Sequence, residues 1–425
     1  MTIVDLDVAP RSATRPRRLV PSRSVTLFLV GLLTLLAVTA SARPAAPSGR
    51  PLWSSPYDQD DDTVTLTPSA LYLFHHDAGG PVLKAYDLAT GALRWAAPAT
   101  DVVARPPAVA DGVIVAPDAF ERYFNRPDLI LSRTTRTIAR DAHTGAVLWR
   151  AAGDPADVTD RSVLLDDDTG GVARLRNVGL HDGRTLWSRP VPGLSDVVIL
   201  GDSVVTATPD GRLTVLRYAD GAVTRTEKVP WPGNGSLSVA AGRLVVTAQQ
   251  PASQVSTVYR PDTLAELWQA DGALADCGAV LCGPGPGGLI GYDPDTGARR
   301  WQMPAMTVAW PVRDDRIIAS SELNRRSQLL DPATGRPVGP AGTGLGSWLP
   351  DGRSAVDGAP AASAAFLLRG VPEAPDKTAV VRLDLRTGAQ LLLGTIDGSG
   401  WIGCRNVAKY LVCRRNTRLT VTSVG

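Results

Sequence analysis

A short motif recurs along most of this chain, and it constrains the fold more than any other feature. In its clearest copies, residues 85–95, 139–149 and 291–301, an apolar run leads into Asp-x-x-Thr-Gly and a second run ends in Trp. Two further copies, 329–339 and 382–392, keep the turn and lose the Trp. The residues that define these copies are Asp87, Gly91, Trp95, Asp141, Gly145, Trp149, Asp293, Gly297, Trp301, Asp331, Gly335, Asp384 and Gly388.

The chemistry of the motif is that of a tight turn between two antiparallel strands. An Asp side chain accepts hydrogen bonds from backbone N–H groups two residues further on, and Thr does so more weakly. Gly supplies the positive φ that such a turn needs. A Trp on the strand that follows can wedge between neighbouring sheets, where it buries roughly 150–250 Å². We therefore assign the residues of the motif a structural role.

Each repeat offers four short strands, because two more strand-like runs lie upstream of each turn. Weaker copies at 178–187, 216–223 and 258–268 bring the number of turns to eight. A fixed period of about 40 residues is typical of propeller blades and not of a β-sandwich. The sequence therefore predicts an all-β fold, a β-propeller of four-stranded antiparallel blades.

The two ends of the repeat region predict that the ring closes on itself. The last residues, 417–425, match the third strand of a repeat at 211–221. Residues 51–56 resemble the fourth strand at 93–98. We expect residues 50–56 to supply the missing fourth strand of the last blade, which removes a free sheet edge.

The D-x-x-T-G-x-x-x-W signature resembles the pyrroloquinoline-quinone-like (PQQ-like) propeller repeat over roughly residues 57–425. That family usually has seven or eight blades. The turns and the closing unit count to nine, but the resemblance favours eight, so we expect eight blades within a range of seven to nine. The family includes quinoprotein alcohol dehydrogenases and non-catalytic scaffolds such as an outer-membrane assembly factor. The repeat by itself does not imply that the quinone is bound.

An uncharged apolar segment near the N-terminus predicts a membrane anchor. Residues 24–42 carry no charge, and as a helix these 19 residues would span about 28 Å, close to the thickness of a bilayer core. The arginines of residues 1–23 orient that basic segment toward the cytoplasm. Residues 43–49 read as a Pro/Ala/Ser linker, and residues 50–425 as an extracytoplasmic propeller on a single-pass membrane protein.

A second interpretation of the same segment stays open. Residues 40–42 form an A-x-A pattern, and signal-peptide cleavage near Ala42 would produce a secreted protein. Both interpretations export the propeller.

The four cysteines predict two local disulfides. Cys277 and Cys282 are five residues apart and Cys404 and Cys413 are nine apart, and odd separations let residues face each other across a hairpin. Three connectivities exist for four cysteines, and we favour these two pairs, which an extracytoplasmic location permits. The spacings do not suit zinc. The adjacent cysteines that quinoprotein dehydrogenases carry are absent from the sequence.

Other polar clusters have unremarkable local explanations. His75 and His76 are neighbours on a strand and point to opposite faces, so they do not chelate one ion. Asp60–Asp62 and Asp166–Asp168 lack calcium-loop spacing, and we expect solvated loops there. The Gly-rich run at 283–288 precedes a strand and reads as a hairpin turn.

Function follows less directly from the sequence. The 44 basic and 42 acidic residues nearly balance, so nucleic acid is not an expected partner. We expect a non-enzymatic scaffold, binding or sensing domain tethered to the membrane, with an unknown protein or small-molecule ligand. No catalytic, cofactor-binding or metal-binding residue is predicted. The alternative is a PQQ-dependent oxidoreductase that would use the quinone and calcium.

Overall fold

The computed structural model describes the chain from residue 49 onward. Within that part, the description leaves out residues 59–61, 101–105, 127–128, 169–171, 232–234, 250–252, 305, 314, 322–325, 340–341, 344–345, 350–363, 398–402, 416 and 425. Every regular element in the described residues is a β-strand, and among them there is no apolar helix long enough to cross a membrane. The predicted cytoplasmic segment 1–23, the predicted membrane helix 24–42 and linker residues 43–48 lie outside the described residues.

The described strands form nine four-stranded antiparallel sheets, which we number as blades 1 to 9 along the chain. The first strand, β1 (Arg50–Pro56), belongs to blade 9. Blades 1 to 3 contain β2 (Thr63–Leu66), β3 (Ala70–Asp77), β4 (Gly80–Asp87), β5 (Leu93–Pro98), β6 (Ala108–Ala110), β7 (Val113–Arg126), β8 (Leu129–Asp141), β9 (Val147–Ala152), β10 (Asp154–Val158), β11 (Ser162–Asp167), β12 (Arg174–Gly179) and β13 (Thr185–Pro190). Blades 4 to 6 contain β14 (Asp196–Leu200), β15 (Ser203–Ala207), β16 (Arg212–Arg217), β17 (Val223–Lys228), β18 (Ser236–Ala240), β19 (Arg243–Gln249), β20 (Gln254–Tyr259), β21 (Glu266–Asp271), β22 (Ala275–Asp276), β23 (Leu281–Gly285), β24 (Gly288–Tyr292) and β25 (Arg299–Pro304). Blades 7 to 9 contain β26 (Val308–Arg313), β27 (Arg316–Ser321), β28 (Arg326–Leu330), β29 (Gly342–Thr343), β30 (Gly346–Leu349), β31 (Ala364–Val371), β32 (Ala374–Asp384), β33 (Gln390–Asp397), β34 (Cys404–Val407), β35 (Tyr410–Arg415) and β36 (Arg418–Ser423).

The structure confirms the propeller of four-stranded antiparallel blades and corrects its size. The expectation of eight blades was wrong, because the structure has nine. The stretches 99–152 and 344–395 are longer than the other repeats. Each of them holds the second and third strands of one blade, and those strands are long. Extra residues in a hairpin lengthen a repeat without adding a blade.

The last blade is assembled from both ends of the described chain. Its order is β1-β36-β35-β34, so the N-terminal strand is the outermost one. Trp53 pairs with Val421 in this ladder. Beyond it, Tyr57 N donates to Thr417 O at 2.9 Å. Residues 50–56 are thus the closing strand, at the place in the last blade that the sequence predicts.

The hydrophobic core is divided into nine clusters, each between two neighbouring blades. The cluster between blades 9 and 1 contains Leu66 and Leu71 from one sheet and Leu419 and Val421 from the other. First strands of neighbouring blades contact one another and line the centre. The ring therefore has no single core, and every blade depends on both neighbours.

The repeated Asp residues organise their own turns. Asp87 Oδ1 accepts hydrogen bonds from Thr90 N at 3.0 Å and Thr90 Oγ1 at 2.9 Å. Asp141 and Asp293 accept the same bonds within their turns. The hydrogen bond from Arg94, followed by those from Thr90, lowers the pKa of Asp87 to about 2. Each turn thus selects the ionised carboxylate.

We expect acid to loosen these turns. The pKa values of Asp87, Asp141, Asp293 and Asp384 are all lowered in the folded protein. Their stabilising contribution is therefore complete above the unfolded pKa of about 4 and is lost as pH falls through the folded values. The melting temperature should decline mainly below about pH 4. The Asp87→Asn variant should decline less steeply, and a parallel decline would contradict this role.

Each repeated Trp reaches across to the turn of the following blade. Trp95 Nε1 donates to Ala142 O at 3.1 Å, and a Cβ on Gly145 would lie 2.7 Å from the indole ring. The same two contacts recur at six junctions between blades. The pairs are Trp53 with Gly91, Trp95 with Gly145, Trp149 with Gly183, Trp187 with Gly221, Trp268 with Gly297 and Trp301 with Gly335.

The turn glycine therefore has two functions. It adopts a positive φ, 75° at Gly145, and it leaves room for the indole of the preceding blade. Two of the described turns lack this Trp–Gly pair. At Gly388 of blade 8, the nearest atoms belong to Val338 and Gly339. Leu264 occupies the glycine position of blade 5 with φ 55°, and the preceding outer strand, β17, has no Trp.

Both predicted disulfides are confirmed. Cys277 is bonded to Cys282 in blade 6, and Cys404 to Cys413 in blade 9. Cys404 and Cys413 lie directly opposite each other on β34 and β35, with Cα atoms 4.0 Å apart. In blade 6 the first strand has only two residues. The disulfide there joins a first and second strand that share few backbone hydrogen bonds.

Candidate interaction surface

The two faces of the propeller differ in how uniform they are from blade to blade. The turn face carries the Asp-x-x-Thr-Gly turns and the hairpins between first and second strands, and Leu88 N donates to Ser69 O between two of them. The crossover face carries the hairpins between second and third strands and the connections between blades. The turn face is nearly uniform because the motif repeats. Features peculiar to this chain therefore lie on the crossover face.

Blade 2 has an unusually long hairpin on the crossover face. Its strands β7 and β8 have 14 and 13 residues, whereas β11 and β12 of blade 3 have six each. The first strand of blade 2 pairs only with Val113–Val115, and the fourth only with Arg136–Arg140. Residues 120–126 and 129–134 therefore form a two-stranded ribbon that extends beyond the four-stranded part of the blade. This segment is called the ribbon below.

Ion pairs hold the base of the ribbon. Asp118 Oδ2 lies 2.6 Å from Arg136 Nε and 3.1 Å from Arg150 Nε, so one carboxylate joins three strands of blade 2. Arg133 forms an ion pair with Asp168 of blade 3. Arg133 lies within the ribbon, so this contact braces the ribbon against the neighbouring blade. The position of the ribbon is set by both blades.

Blade 3 adds a cluster of carboxylates beside that base. Asp154 and Asp166 lie directly opposite each other on β10 and β11. Burial raises the pKa of Asp166; the charge of Arg133 opposes this rise, and Asp154 and Asp167 add to it. Arg176 Nε lies 3.2 Å from Asp167 Oδ2. The expected solvated loop was wrong for Asp166 and Asp167, which are partly buried strand residues.

A second polar contact that the sequence did not predict lies where the closing strand connects to blade 1. Asp62 is only 3% exposed. Its Oδ2 lies 2.7 Å from His75 Nδ1 and accepts a hydrogen bond from Asp58 N at 2.7 Å. His76 instead packs edge-on against Phe74, with ring centroids 5.6 Å apart. The expected solvated loop was therefore wrong for Asp62. Its contacts stabilise the segment that connects the closing strand to blade 1.

We expect His75→Ala to destabilise the propeller by about 2–4 kcal/mol, because it leaves a buried carboxylate without its imidazole partner. His181 provides the matched control. Its Nε2 lies 3.0 Å from Asp111, but the two side chains are 59% and 65% exposed, so His181→Ala should have little effect. Chemical denaturation of both variants tests this, and equal effects would contradict a structural role for the buried pair.

A groove of about 520 Å³ lies between blades 1 and 2 on the turn face, where Tyr72, Arg94 and Asp141 contribute polar groups. Those groups already serve the fold. Tyr72 Oη donates to Ala142 O at 3.3 Å, and Arg94 pairs with Asp87 at 2.8 Å. Among the described residues, no group of three or more His, Cys, Asp or Glu side chains is arranged to hold a metal ion. The ribbon, in contrast, is not part of the repeated four-stranded blade.

Comparison with known families identifies the repeat. A PQQ-repeat model described as "Outer membrane protein assembly factor BamB" matches residues 38–193, 124–260 and 168–391 in overlapping segments. The chain belongs to this family. Its sequence signature, the PQQ-like repeat, is thereby confirmed, and a propeller scaffold is the architecture that the family model describes.

Solved structures of BamB and of other proteins align over most of the chain. BamB from Moraxella catarrhalis is 16% identical, with 88% of this chain and 99% of that chain covered and a TM-score of 0.44. A quinohemoprotein alcohol dehydrogenase from Pseudomonas putida is 12% identical, with 88% and 76% covered and a TM-score of 0.44. A eukaryotic initiation factor is 10% identical, with 85% and 93% covered and a TM-score of 0.52. No match was found among curated proteins.

A bound quinone would need an aromatic ring to stack on and side chains that hold a cation. All four cysteines form disulfides, in blades 6 and 9. Trp310, on the innermost strand of blade 7, is 44% exposed, and a quinone could stack on such a ring. The described part of the chain offers no set of side chains for the calcium ion.

Proposed function

We propose that this chain is a non-enzymatic β-propeller scaffold that binds a protein partner through the crossover face of blades 2 and 3. Membership of a family described by an outer membrane protein assembly factor supports a scaffold. The observation that carries the proposal is the ribbon. The repeat accounts for four strands in each blade. In blade 2, the hairpin between the second and third strands extends beyond these four strands.

The contacts at the base of the ribbon support a binding role. A hairpin with no function would be free to vary in position, but Asp118 and Asp168 anchor this one through Arg136, Arg150 and Arg133. Propellers commonly bind partners at the rim or the mouth of the central channel. An anchored projection presents the same surface to every partner molecule, which reduces the entropy that binding costs.

We further propose that the propeller is extracytoplasmic and tethered by residues 24–42, with residues 1–23 in the cytoplasm. The two disulfides support an oxidising compartment. The alternative location is secretion after cleavage near Ala42. Mass spectrometry of the mature protein separates the two, because a protein that begins near Arg43 would rule out the anchor.

Cross-linking in intact cells tests the scaffold. A photoactivatable residue at Glu121 on the ribbon should cross-link to a defined partner protein. The same residue at Arg225, on the outer strand of blade 4, is the control and should not. Failure of the Glu121 site to yield a partner, or capture of the same partner from Arg225, would overturn the scaffold. So would dye reduction by the purified chain with alcohols or aldose sugars after addition of the quinone and calcium.

A further inference from the structure

We infer that the free edge of β8 between Leu129 and Thr134 pairs with an extended, apolar strand of the partner protein. The partner strand would become the third strand of the ribbon. This inference rests on the proposed function and adds to it the chemistry of the partner and the backbone atoms that it contacts.

The backbone ladder of the ribbon is open on this side. Residues 129–134 pair only with β7, in a regular register from Phe120 with Thr134 to Phe124 with Ile130. The last described backbone hydrogen bond on this side of β8 runs from Gly153 N to Thr135 O, at 2.9 Å. Beyond it, no described strand pairs with β8. Alternate residues of an edge strand direct their N–H and C=O groups outward, where they can pair with another chain.

Other strand edges in the propeller carry the features that prevent such pairing. Four outermost strands end in proline, at Pro56, Pro98, Pro190 and Pro304. The outer strand of blade 4 instead carries exposed Arg225 and Glu227. Natural proteins use proline, charge and bulges to block edge pairing. These outer strands are therefore poor candidates for a partner strand.

The β8 edge lacks those features. Residues 129–134 contain no proline, lysine or acidic residue, and their one charged residue, Arg133, is paired with Asp168. The register between the two strands is unbroken from Ile130 to Thr134, but the shift after Phe124 skips a residue of β7. The facing part of β7 also carries Glu121, Arg122 and Arg126. Of the two strands of the ribbon, β8 is therefore the one suited to receive a third strand.

The composition of the ribbon indicates what kind of strand it receives. A two-stranded hairpin is marginally stable alone in water, and a third strand supplies the missing pairing and packing. Two of the five phenylalanines of the chain lie in this short segment. The apolar residues there are Phe120, Tyr123, Phe124, Leu129, Ile130 and Leu131. Cross-strand pairing of such residues favours β-branched and aromatic neighbours.

The test uses the full chain in detergent and short linear peptides selected from a displayed library. Selected peptides should be rich in alternating β-branched and aromatic residues. Their binding should slow hydrogen exchange at amides within residues 129–134. Leu131→Lys places a charge on the edge and should weaken binding by about tenfold or more. Leu186→Lys is the matched control on an outer strand, where Leu186 is 55% exposed, and should bind like wild type.

Melting temperatures of both lysine variants show whether the fold is kept. A second variant, with residues 120–134 replaced by Asn-Gly, should also lose peptide binding and melt normally. The inference fails if peptides bind without slowing exchange in residues 129–134, or if Leu131→Lys binds like wild type. Two other outcomes would contradict a partner protein. If the wild-type chain is a dimer that Leu131→Lys dissociates, the edge pairs with a second copy of this chain. If the wild-type chain binds phosphatidylglycerol vesicles and Leu131→Lys does not, the ribbon binds a bilayer. If the partner cross-linked in cells is retained by these variants, the edge inference fails and the scaffold stands.

Discussion

A chain that begins at residue 57 will lose the cooperative unfolding of the whole propeller, whereas a chain that begins at residue 47 will retain it. The difference is the closing strand. It contributes six pairs to the ladder with β36. Its Trp53 packs where a Cβ of Gly91 would lie and donates to Leu88 O at 2.9 Å.

The size of the effect follows from what is removed. Deleting a packed Trp typically costs about 3–5 kcal/mol, and each lost backbone hydrogen bond adds about 1 kcal/mol. The sum is comparable to the total stability of most domains, about 5–15 kcal/mol. Because every blade depends on both neighbours, the loss should spread around the ring. Circular dichroism melts of both truncations provide the measurement, and coincident melting curves would show that the ring closes without this strand.

Substitution of a turn glycine that contacts the Trp of the preceding blade will destabilise the fold far more than substitution of an unconfined glycine with the same backbone conformation. In Gly145→Ala, the new Cβ would lie 2.7 Å from Trp95 while φ remains at 75°. We expect a loss of about 3–5 kcal/mol, because the strained backbone adds to displacement of a packed indole.

The matched control is Gly242→Ala. Gly242 has φ 66°, but no heavy atom lies within 4 Å of the Cβ position, so only the backbone strain of about 1 kcal/mol should appear. Denaturant unfolding of the two variants measures the difference directly. Equal losses of unfolding free energy would mean that the Trp95 indole moves aside at no energetic cost. The contact between Trp95 and Gly145 would then contribute little to stability.

Local chemistry made much of the fold predictable. The Asp and Gly of each turn act within a few residues of one another, so their role follows from sequence order alone. The paired cysteines are equally local, five and nine residues apart. The closing strand was predictable because residues 51–56 resemble outer strands elsewhere in the chain. This internal resemblance indicated the position of the strand in a blade although its partner, β36, is distant in sequence.

The blade count went wrong for a physical reason. A family average was preferred to the count of turns, although the turns themselves are the units that stack. The long hairpins of blades 2 and 8 lengthened the spacing between turns without changing their number. The ninth blade has no internal turn, because its third and fourth strands come from opposite ends of the described chain.

The candidate surface and the ring joint were much harder to predict. Asp62 and His75 meet because β2 and β3 pair, which places a loop residue beside a strand end. Arg133 and Asp168 meet because two blades stack. The sequence marks both aspartates only as members of short acidic runs, and such runs are usually solvated.

By itself the sequence determined the repeat, the four strands of each blade, the closing strand and the disulfide pairs, because each depends on neighbours in the chain or on internal resemblance. The count of turns already gave nine blades, and the structure was needed only to choose that count over the family average. Tertiary structure alone decided two things, the fit of each Trp over the glycine of the next blade and the free edge of β8. These depend on which residues meet after the sheets stack, and the geometry of stacking is not encoded in any one repeat.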